Sequence, residues 1–400
     1  MILVCELSHP DGAHAPFNAG LLATIRAAFQ KEGLWFFGAA THIAELKRQL
    51  GEDLVALITW VEISPPDRHE TYFGRFLQEL RIVRHLLRTV SKGTTQHLIF
   101  TSAYPSTILA LKLARWFERK HIPVQMVLHG LNGVVGKRYR HPIRRFQDMK
   151  TALTILGNRK VQYLVLEEPI RDAIVRNLPS VAGKVEVLAH PLPPHEAESR
   201  AGGLGMPVRL GFLGLASESK GFPVFLELAK TVRAQYGNQA EFHTIGRFPA
   251  GCSPMGMEAL ATRPATERMG RSDFTRGVRQ LHFVVLPHHA TPYGLSASGT
   301  LLDAIAWGKP VIARRIPIFE HVFEKHGDIG YLFRDDTELT GIVKQILESP
   351  DHSRYEGQLI NVHNARRWRS PEMLAVAYRE ICRRDNVWQD SSEAGRPSEE

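Results

Sequence analysis

Cysteine is scarce: the 400-residue chain has three, Cys5, Cys252 and Cys382, far apart and odd in number. That excludes a disulfide framework and a Cys-x-x-Cys metal knuckle, and the three read as small buried hydrophobes. Long apolar runs are missing as well. No stretch approaches the ~18 uninterrupted apolar residues of a membrane-crossing helix, which leaves only attachment to a membrane surface open. The first residues, MILVCELSHPDG, reach Glu6 after four apolar or thiol residues beyond Met1. A basic and then apolar secretory leader is absent there, so the expected location is the cytoplasm. No Walker loop occurs, and no Gly-x-Gly-x-x-Gly follows a strand, so ATP hydrolysis and a nicotinamide site are not indicated. His321-Val322-Phe323-Glu324 lacks the second helix-spaced His of a zinc protease, and no protein-bound metal is expected. Gly294–Ser298 puts Ser298 where a hydrolase elbow needs Gly, and Ser217–Lys220 lacks the Lys-Thr-Gly partner of penicillin enzymes.

Acidic residues are missing from one segment. The net charge is +9, yet residues 101–150 alone hold ten Lys and Arg against two Asp and Glu, a local +8. The densest run is Lys137, Arg138, Arg140, Arg144 and Arg145. So local a patch suits a bound anionic group or an anionic membrane surface; a nucleic-acid protein is more often basic over a whole face, and no nucleic-acid partner is expected.

What is present, 44% apolar and 23% charged residues over this length, describes a soluble chain of two domains. Short apolar runs at Ile2–Leu7, Leu34–Gly38, Leu54–Trp60, His97–Thr101, Val124–Leu128, Tyr163–Leu166 and Val185–Leu188 read as strands. Helical patterns alternate with them, the clearest being Tyr72–Val90, whose apolar stripe suits a core-facing helix. The segment His190–Met206, rich in Pro, Gly and charge, reads as a linker. The pattern restarts with strands Val208–Leu213, Glu241–Ile245, Leu281–Leu286 and Pro310–Ala313. Helices are expected near Gly221–Gln235, Gly299–Trp307, Glu338–Leu347, Tyr355–Arg367 and Pro371–Arg384. The expected organisation is an N-terminal domain over 1–190, a linker over 191–206 and a C-terminal domain over 207–370. A closing helix over 371–388 and a disordered tail over 389–400 follow. The fold class is α/β, two doubly wound parallel sheets facing a central cleft, with ligands at the carboxyl ends of the strands.

The most informative stretch is Leu281–Ala313, LHFVVLPHHATPYGLSASGTLLDAIAWGKPVIA. The loop Ser296–Thr300 runs directly into a helix start, where backbone N–H groups and the dipole favour a phosphate, with Ser298, Gly299 and Thr300 nearest. Asp303, four residues after Gly299, is placed to accept the two hydroxyls of a ribose; an N-cap at Ser298 and a dipole partner at Asp303 are the structural alternatives. A second loop follows Gly214 and ends in Lys220-Gly221, adding a cation beside the phosphate site or a solvated surface lysine.

These two loops, FLGLASESKG and DAIAWGKPVIA, resemble the donor-nucleotide domain of GT-B glycosyltransferases similar to family 4. The resemblance implies that Lys220 neutralises the diphosphate of a nucleotide sugar, which is a substrate and not a cofactor, and that Asp303 holds the ribose. Two departures stand out: Leu215 occupies the usual place of an Arg, and Leu295 that of a Glu eight residues before the acid. Tyr293, the Ser296–Thr300 backbone or a cation among Arg247, Arg314 and Arg315 are the candidates to supply what is missing.

In the N-terminal half, the loop after the first strand carries Asp11 and His14, either able to take a proton from an acceptor hydroxyl. A solvated turn with Asn18 capping the next helix is the alternative. His129, after Val124–Leu128, takes by resemblance the role of reaching the transferred sugar, while His190 reads as structural. The expectation is a hexosyltransferase acting in bacterial polysaccharide or glycolipid assembly on a lipid-linked saccharide, peripheral on the inner face of the cell membrane. A nucleotide-sugar epimerase of the same fold is one alternative; an inactive transferase-like protein binding anionic lipid or polymer is the other.

Overall fold

Strands that are apolar along their whole length need cover on both faces, and such strands build parallel sheets. The computed structural model describes residues 1–9, 14–67, 70–92, 97–116, 122–129, 139, 141, 143–157, 160–194, 202–249, 256–267, 269–289 and 296–384. It divides into Met1–His195 with Arg369–Glu400, and Glu196–Trp368. The first unit holds strands β1 (Ile2–Cys5), β2 (Leu34–Gly38), β3 (Ile58–Glu62), β4 (His97–Phe100), β5 (Val124–Leu128), β6 (Val161–Val165) and β7 (Val185–Val187). They pair in parallel in the order β3-β2-β1-β4-β5-β6-β7. β1, β4, β5 and β6 are buried at every position, whereas β3, at the edge, is buried only at Ile58.

The order reverses between β1 and β4. The chain leaves β1 towards β2 on one side and returns to β4 on the other, opening a crevice at the carboxyl ends of both strands. Residues Glu6–His9, His14 and Thr101–Tyr104 border it.

The second unit has strands β8 (Val208–Leu215), β9 (Ala240–Arg247), β10 (Phe283–Leu286), β11 (Val311–Arg314) and β12 (Gly330–Phe333), all parallel, in the order β12-β11-β10-β8-β9. Its core joins Phe212, Phe225, Phe242 and Phe283 from strands and helix with Leu339, Val343 and Tyr355 from the covering helices. Here the reversal lies at β8, between β9 and β10, so the second crevice is bordered by the loops after β8 and β10.

The C-terminal helix Pro371–Arg384 returns to the first unit and packs on the helix Ala15–Ala28. Tyr378 Oη donates to Gln125 of β5 at 2.6 Å, and Gln125 donates to Gln162 of β6 at 2.5 Å. The helix thus gives the buried Gln125 carbonyl oxygen a donor. Just before it, Arg369 and Glu167, both buried, form an ion pair at 2.9 Å, and the Arg369 carbonyl accepts from Leu192 N–H. Removing one partner of such a pair typically costs ~3–5 kcal/mol, because the other charge stays buried.

Three expectations need correction. Glu52–Ala56 is a helix, since Glu52 and Asp53 suit a positive helix start, and the strand lies later, at Ile58–Glu62. Among the described side chains, the stripe of Tyr72–Lys92 is core only at Val83, Leu86 and Leu87; Phe73 is 67% exposed and Leu77 is exposed too. Strand Gly330–Phe333 and helix Pro317–His326 were not anticipated: the strand has four residues, two of them only partly buried. The other expected strands are present, their ends moved by at most two residues. Cys5 and Cys382 are buried free thiols; Cys252 and 389–400 lie outside the described residues.

Candidate functional site

In the second unit, two glycines explain how the loops after β8 and β10 meet. Gly221 has φ +75°, and a Cβ there would stand 2.0 Å from the Pro287 carbonyl oxygen, so only Gly lets the two loops touch. His289 N–H donates to Ser219 across the same junction at 3.3 Å. Gly214 has φ +85°, and a Cβ on it would lie 3.1 Å from Lys220 Nζ and 3.4 Å from Thr300 Cγ2. The ammonium and the first turn of Gly299–Ala306 therefore converge over bare backbone.

Ser298 caps that helix, its Oγ accepting from Leu301 N–H at 3.3 Å and lying 3.1 Å from Thr300 Oγ1. Thr300 in turn bonds buried His288 Nε2 at 3.2 Å. Burial, with the Lys220 charge adding to it, pushes His288 down to about 3, so it stands there as a neutral imidazole. Burial also lowers the Lys220 ammonium below its ordinary value, with the Asp303 carboxylate opposing the shift. Cation, carboxylate and helix start are thus neighbours. Tyr293 and Leu295 lie outside the described residues. His288 was missed; its signal was a polar residue two places after a fully buried strand.

Among the three alternative cations, Arg314 pairs with Asp336 at 2.6 Å and Arg315 with Glu320 at 3.3 Å. Arg247 differs. It ends β9 in register with Leu215, is exposed, and makes no ion pair among the described residues.

In the first unit the centre is a residue that the sequence reading passed over. Glu6, 1% exposed at the end of β1, accepts from Ser8 N–H at 2.7 Å, His9 N–H at 3.2 Å, Thr101 Oγ1 at 3.0 Å and Asn18 Nδ2 at 3.3 Å, and from the Ser102 hydroxyl. Burial alone would raise its pKa; the donors and the neighbouring imidazoles His14 and His9 win, holding it well below the usual carboxylate range. His14 Nδ1 stands 3.7 Å from Glu6 Oε2. The His9 and His14 rings are 3.5 Å apart, and those of His14 and His129 4.3 Å.

His129 Nε2 lies 2.8 Å from the Thr101 carbonyl, which can only accept, so the ring proton sits on Nε2. Burial pushes His129 well below its ordinary value, and the His14 charge adds to this. His190 Nδ1 meets the Pro191 carbonyl at 2.9 Å, and its ring is edge-on to Phe17 at 4.9 Å. Asn18 is not a cap. The helix starts earlier, at Ala15 with Pro16 in its first turn, which turns buried Asn18 inward to Glu6 and, at 2.8 Å, to His42. Asp11 lies outside the described residues, as do Lys137, Arg138 and Arg140. Arg144 and Arg145 are exposed on the turn Ile143–Gln147.

Residues 207–349 match the family described as Glycosyl transferases group 1. That match covers most of the second unit and does not extend into the first. The full chain shares its fold with solved GT-B structures. A glycosyltransferase from Rickettsia africae superposes with a TM-score of 0.65 at 11% identity, covering 98% of this chain and 99% of that one. A trehalose-6-phosphate structure from E. coli bound with UDP-2-fluoro glucose gives 0.62 at 12% identity, covering 95% and 98%. The lipopolysaccharide outer core galactosyltransferase WaaB gives 0.61 at 12%, covering 96% and 99%. Comparison with curated sequences gives no match. Within this GT-B chain the family match spans Gly214, Lys220 and Asp303 together.

Proposed function

We propose that this protein transfers a sugar, in the manner of a hexosyltransferase, from a nucleoside diphosphate sugar held by the second unit to a hydroxyl acceptor bound at the first. The observation that carries the reading is the convergence of Lys220 with the first turn of Gly299–Ala306 over Gly214, in the unit that matches the transferase family. A diphosphate suits that place: the ammonium and the helix-start N–H groups both stabilise anionic oxygen. Asp303 accepts from the ribose hydroxyls, and Arg247 supplies the second cation that Leu215 does not; Tyr293, outside the described residues, is a further donor-binding candidate from the sequence.

His14 and His129, with Asp11, handle the acceptor and the transferred sugar. His129, with its proton committed to Thr101, offers Nδ1 to a sugar hydroxyl. The acceptor in this reading is a lipid-linked saccharide of bacterial polysaccharide or glycolipid assembly, reached from the cytoplasmic face of the membrane. A surface of the first unit supports that choice. The Tyr72 hydroxyl donates to the Phe146 carbonyl, joining the start of helix Tyr72–Lys92 to the turn Ile143–Gln147. Phe73 and Leu77 on that helix and Arg144, Arg145 and Phe146 on that turn are all exposed, and Lys137, Arg138 and Arg140 precede the turn in sequence. Apolar side chains flanked by cations suit an anionic bilayer.

Thermal unfolding with nucleoside diphosphates, monophosphates and nucleosides tests the donor site, because selective stabilisation reports binding to the folded state. A diphosphate should stabilise most, and Asp303→Asn should lower affinity for ribonucleotides more than for 2′,3′-dideoxy analogues. Equal response to all three ligand classes would remove the diphosphate assignment. Turnover of a nucleotide sugar without any acceptor would favour the epimerase reading instead.

A further inference from the structure

Tyr104 stands where the chain leaves β4 for the helix Pro105–Trp116, on the border of the first unit's crevice, and it is 39% exposed. Exposed side chains ordinarily hop between rotamers. This one is held from several sides. The Arg75 guanidinium lies over the ring, 4.5 Å from its centroid. Arg75 Nε donates to Glu79 Oε1 at 3.1 Å, and Glu79 is buried on the helix Tyr72–Lys92. Thr107 Oγ1 donates to the same carboxylate oxygen at 3.0 Å and accepts from the Tyr104 backbone N–H at 3.3 Å. Backbone, hydroxyl, carboxylate, guanidinium and ring thus form a closed circuit that begins and ends on one residue. The His9 ring, 6.1 Å away and tilted by 37°, stands beside it on the same border.

Holding an exposed side chain still costs entropy, and space-filling does not explain the cost, since a ring needed only for packing would be covered. A fixed, flat, apolar face among polar groups suits one ligand chemistry. A pyranose ring carries C–H bonds on its faces and hydroxyls around its rim. An aromatic face therefore takes the C–H bonds out of water while the hydroxyls stay with solvent or with polar groups at the side. Arg75 occupies one face of the Tyr104 ring, which leaves the opposite face for such a ligand. We infer that Tyr104 is a stacking platform for a sugar ring of the acceptor, and that Arg75, Glu79 and Thr107 are the residues that position it. The inference deepens the transferase reading and rests on it for the acceptor's part in a reaction. The saccharide site itself is built wholly from the first unit. Its gain is preorganisation: a ring already in place loses little freedom when the ligand arrives.

Methyl glycosides of glucose, galactose and mannose serve as probes, titrated into full-length protein whose tyrosine rings carry carbon-13, with Tyr104→Phe assigning the Tyr104 signal. At least one glycoside should shift that signal saturably, and its own C–H protons should move upfield under the ring current. Read by saturation transfer to the glycoside, Tyr104→Phe, which keeps the ring, should bind within about twofold of the wild type. Tyr104→Ser should bind roughly tenfold more weakly, the scale of one lost stacking contact. Arg75→Gln should weaken binding several-fold when Tyr104 is present and not at all in the Tyr104→Ser background, because it acts through the ring; a general structural defect would weaken both. Should Arg75→Gln fail to fold because Glu79 loses its partner, the two Tyr104 variants, made at an exposed position, still decide. No glycoside shifting the Tyr104 signal, or a Tyr104→Ser protein that binds as the wild type does, overturns the inference. A nucleoside that shifts the signal where the glycosides do not would give the face to a base and overturn it as well. Glycoside binding at Tyr104 in a protein with no affinity for any nucleoside diphosphate would instead sink the transferase reading and leave the saccharide site standing.

Discussion

Replacing Lys220 by Met removes one charge and keeps most of the side-chain volume. In the free protein this should cost little, because burial already disfavours the ammonium; Asp303 is the group that gives it up. In the complex the loss is larger. A hydrogen bond to a charged group contributes ~1.5–3 kcal/mol, which corresponds to a roughly ten- to 150-fold weaker diphosphate complex. Asp303, left beside the phosphates without its counter-charge, pushes the figure towards the upper end. Calorimetric titration with a nucleoside, its monophosphate and its diphosphate separates the effects. Lys220→Met should reduce the advantage of the diphosphate and leave the nucleoside unchanged. The pH dependence has a definite sign. Burial lowers the Lys220 pKa, so its charge is lost at lower pH than in a free lysine, and diphosphate affinity should fall as pH rises into that region. Lys220→Arg, charged throughout, should bind without that fall, and Lys220→Met should be weak and flat. A Met variant that binds diphosphate as tightly as the wild type would refute the placement of the phosphates.

Arg247→Met should weaken the diphosphate further, with a cost that adds to that of Lys220→Met; affinity unchanged in titration would show that Leu215 has no substitute. Phe73→Ser with Leu77→Ser should reduce sedimentation with anionic liposomes even in low salt, whereas Arg144→Glu with Arg145→Glu should remove its salt-sensitive part; binding retained by the combined variant would exclude this surface. Acid should destabilise the fold in a defined window. His97 and His282 are held at about 4 and His288 at about 3, mainly by burial, so their contribution is complete above the ordinary value of 6.5 and is lost as pH falls towards 4. At pH 5 each should have lost about 2 kcal/mol, and urea unfolding at pH 7 and pH 5 measures their sum together with the loss of the same sign from His129, His190 and His243, which burial also lowers. Equal stability at the two values would show that these rings are protonated in the folded protein. Glu6 acts with the same sign but only below about pH 4.5, so it does not confuse the window.

The parallel sheets were legible because burial on both faces writes itself as short runs such as ILVC, LWFFG and VQMVL, and nothing else in a soluble chain needs such runs. Edges are harder. Ile58–Glu62 has one buried residue and Gly330–Phe333 two, so tertiary pairing and not local composition decides where they begin. Helix Tyr72–Lys92 shows the reverse case. Its period was read correctly, but an apolar stripe does not say how much of it a sheet will cover, and Phe73 and Leu77 stay in solvent.

The two crevices differ in the same way. That of the second unit is built from two continuous segments, Gly214–Gly221 and Ser298–Asp303, each carrying its chemistry in adjacent residues, so a reader of the chain meets Lys220 and Asp303 with their contexts intact. That of the first unit is assembled from three strand ends far apart in sequence: Glu6 after β1, Thr101 and Ser102 after β4, His129 after β5. No spacing connects them; only the strand order, which puts β4 beside β1, brings the hydroxyls of Thr101 and Ser102 onto the carboxylate of Glu6. In the sequence Glu6 looks like a charge interrupting an apolar run, and its neighbour Asp11 looks like the better acid. Charge at that point is tolerable because five donors meet it, two from its own loop, one from helix Ala15–Ala28 and two brought by β4, and a carboxylate held ionised by so many donors is a fixed electrostatic feature for whatever binds above it. The residue the sequence made least conspicuous is thus the one around which the first unit's site is organised.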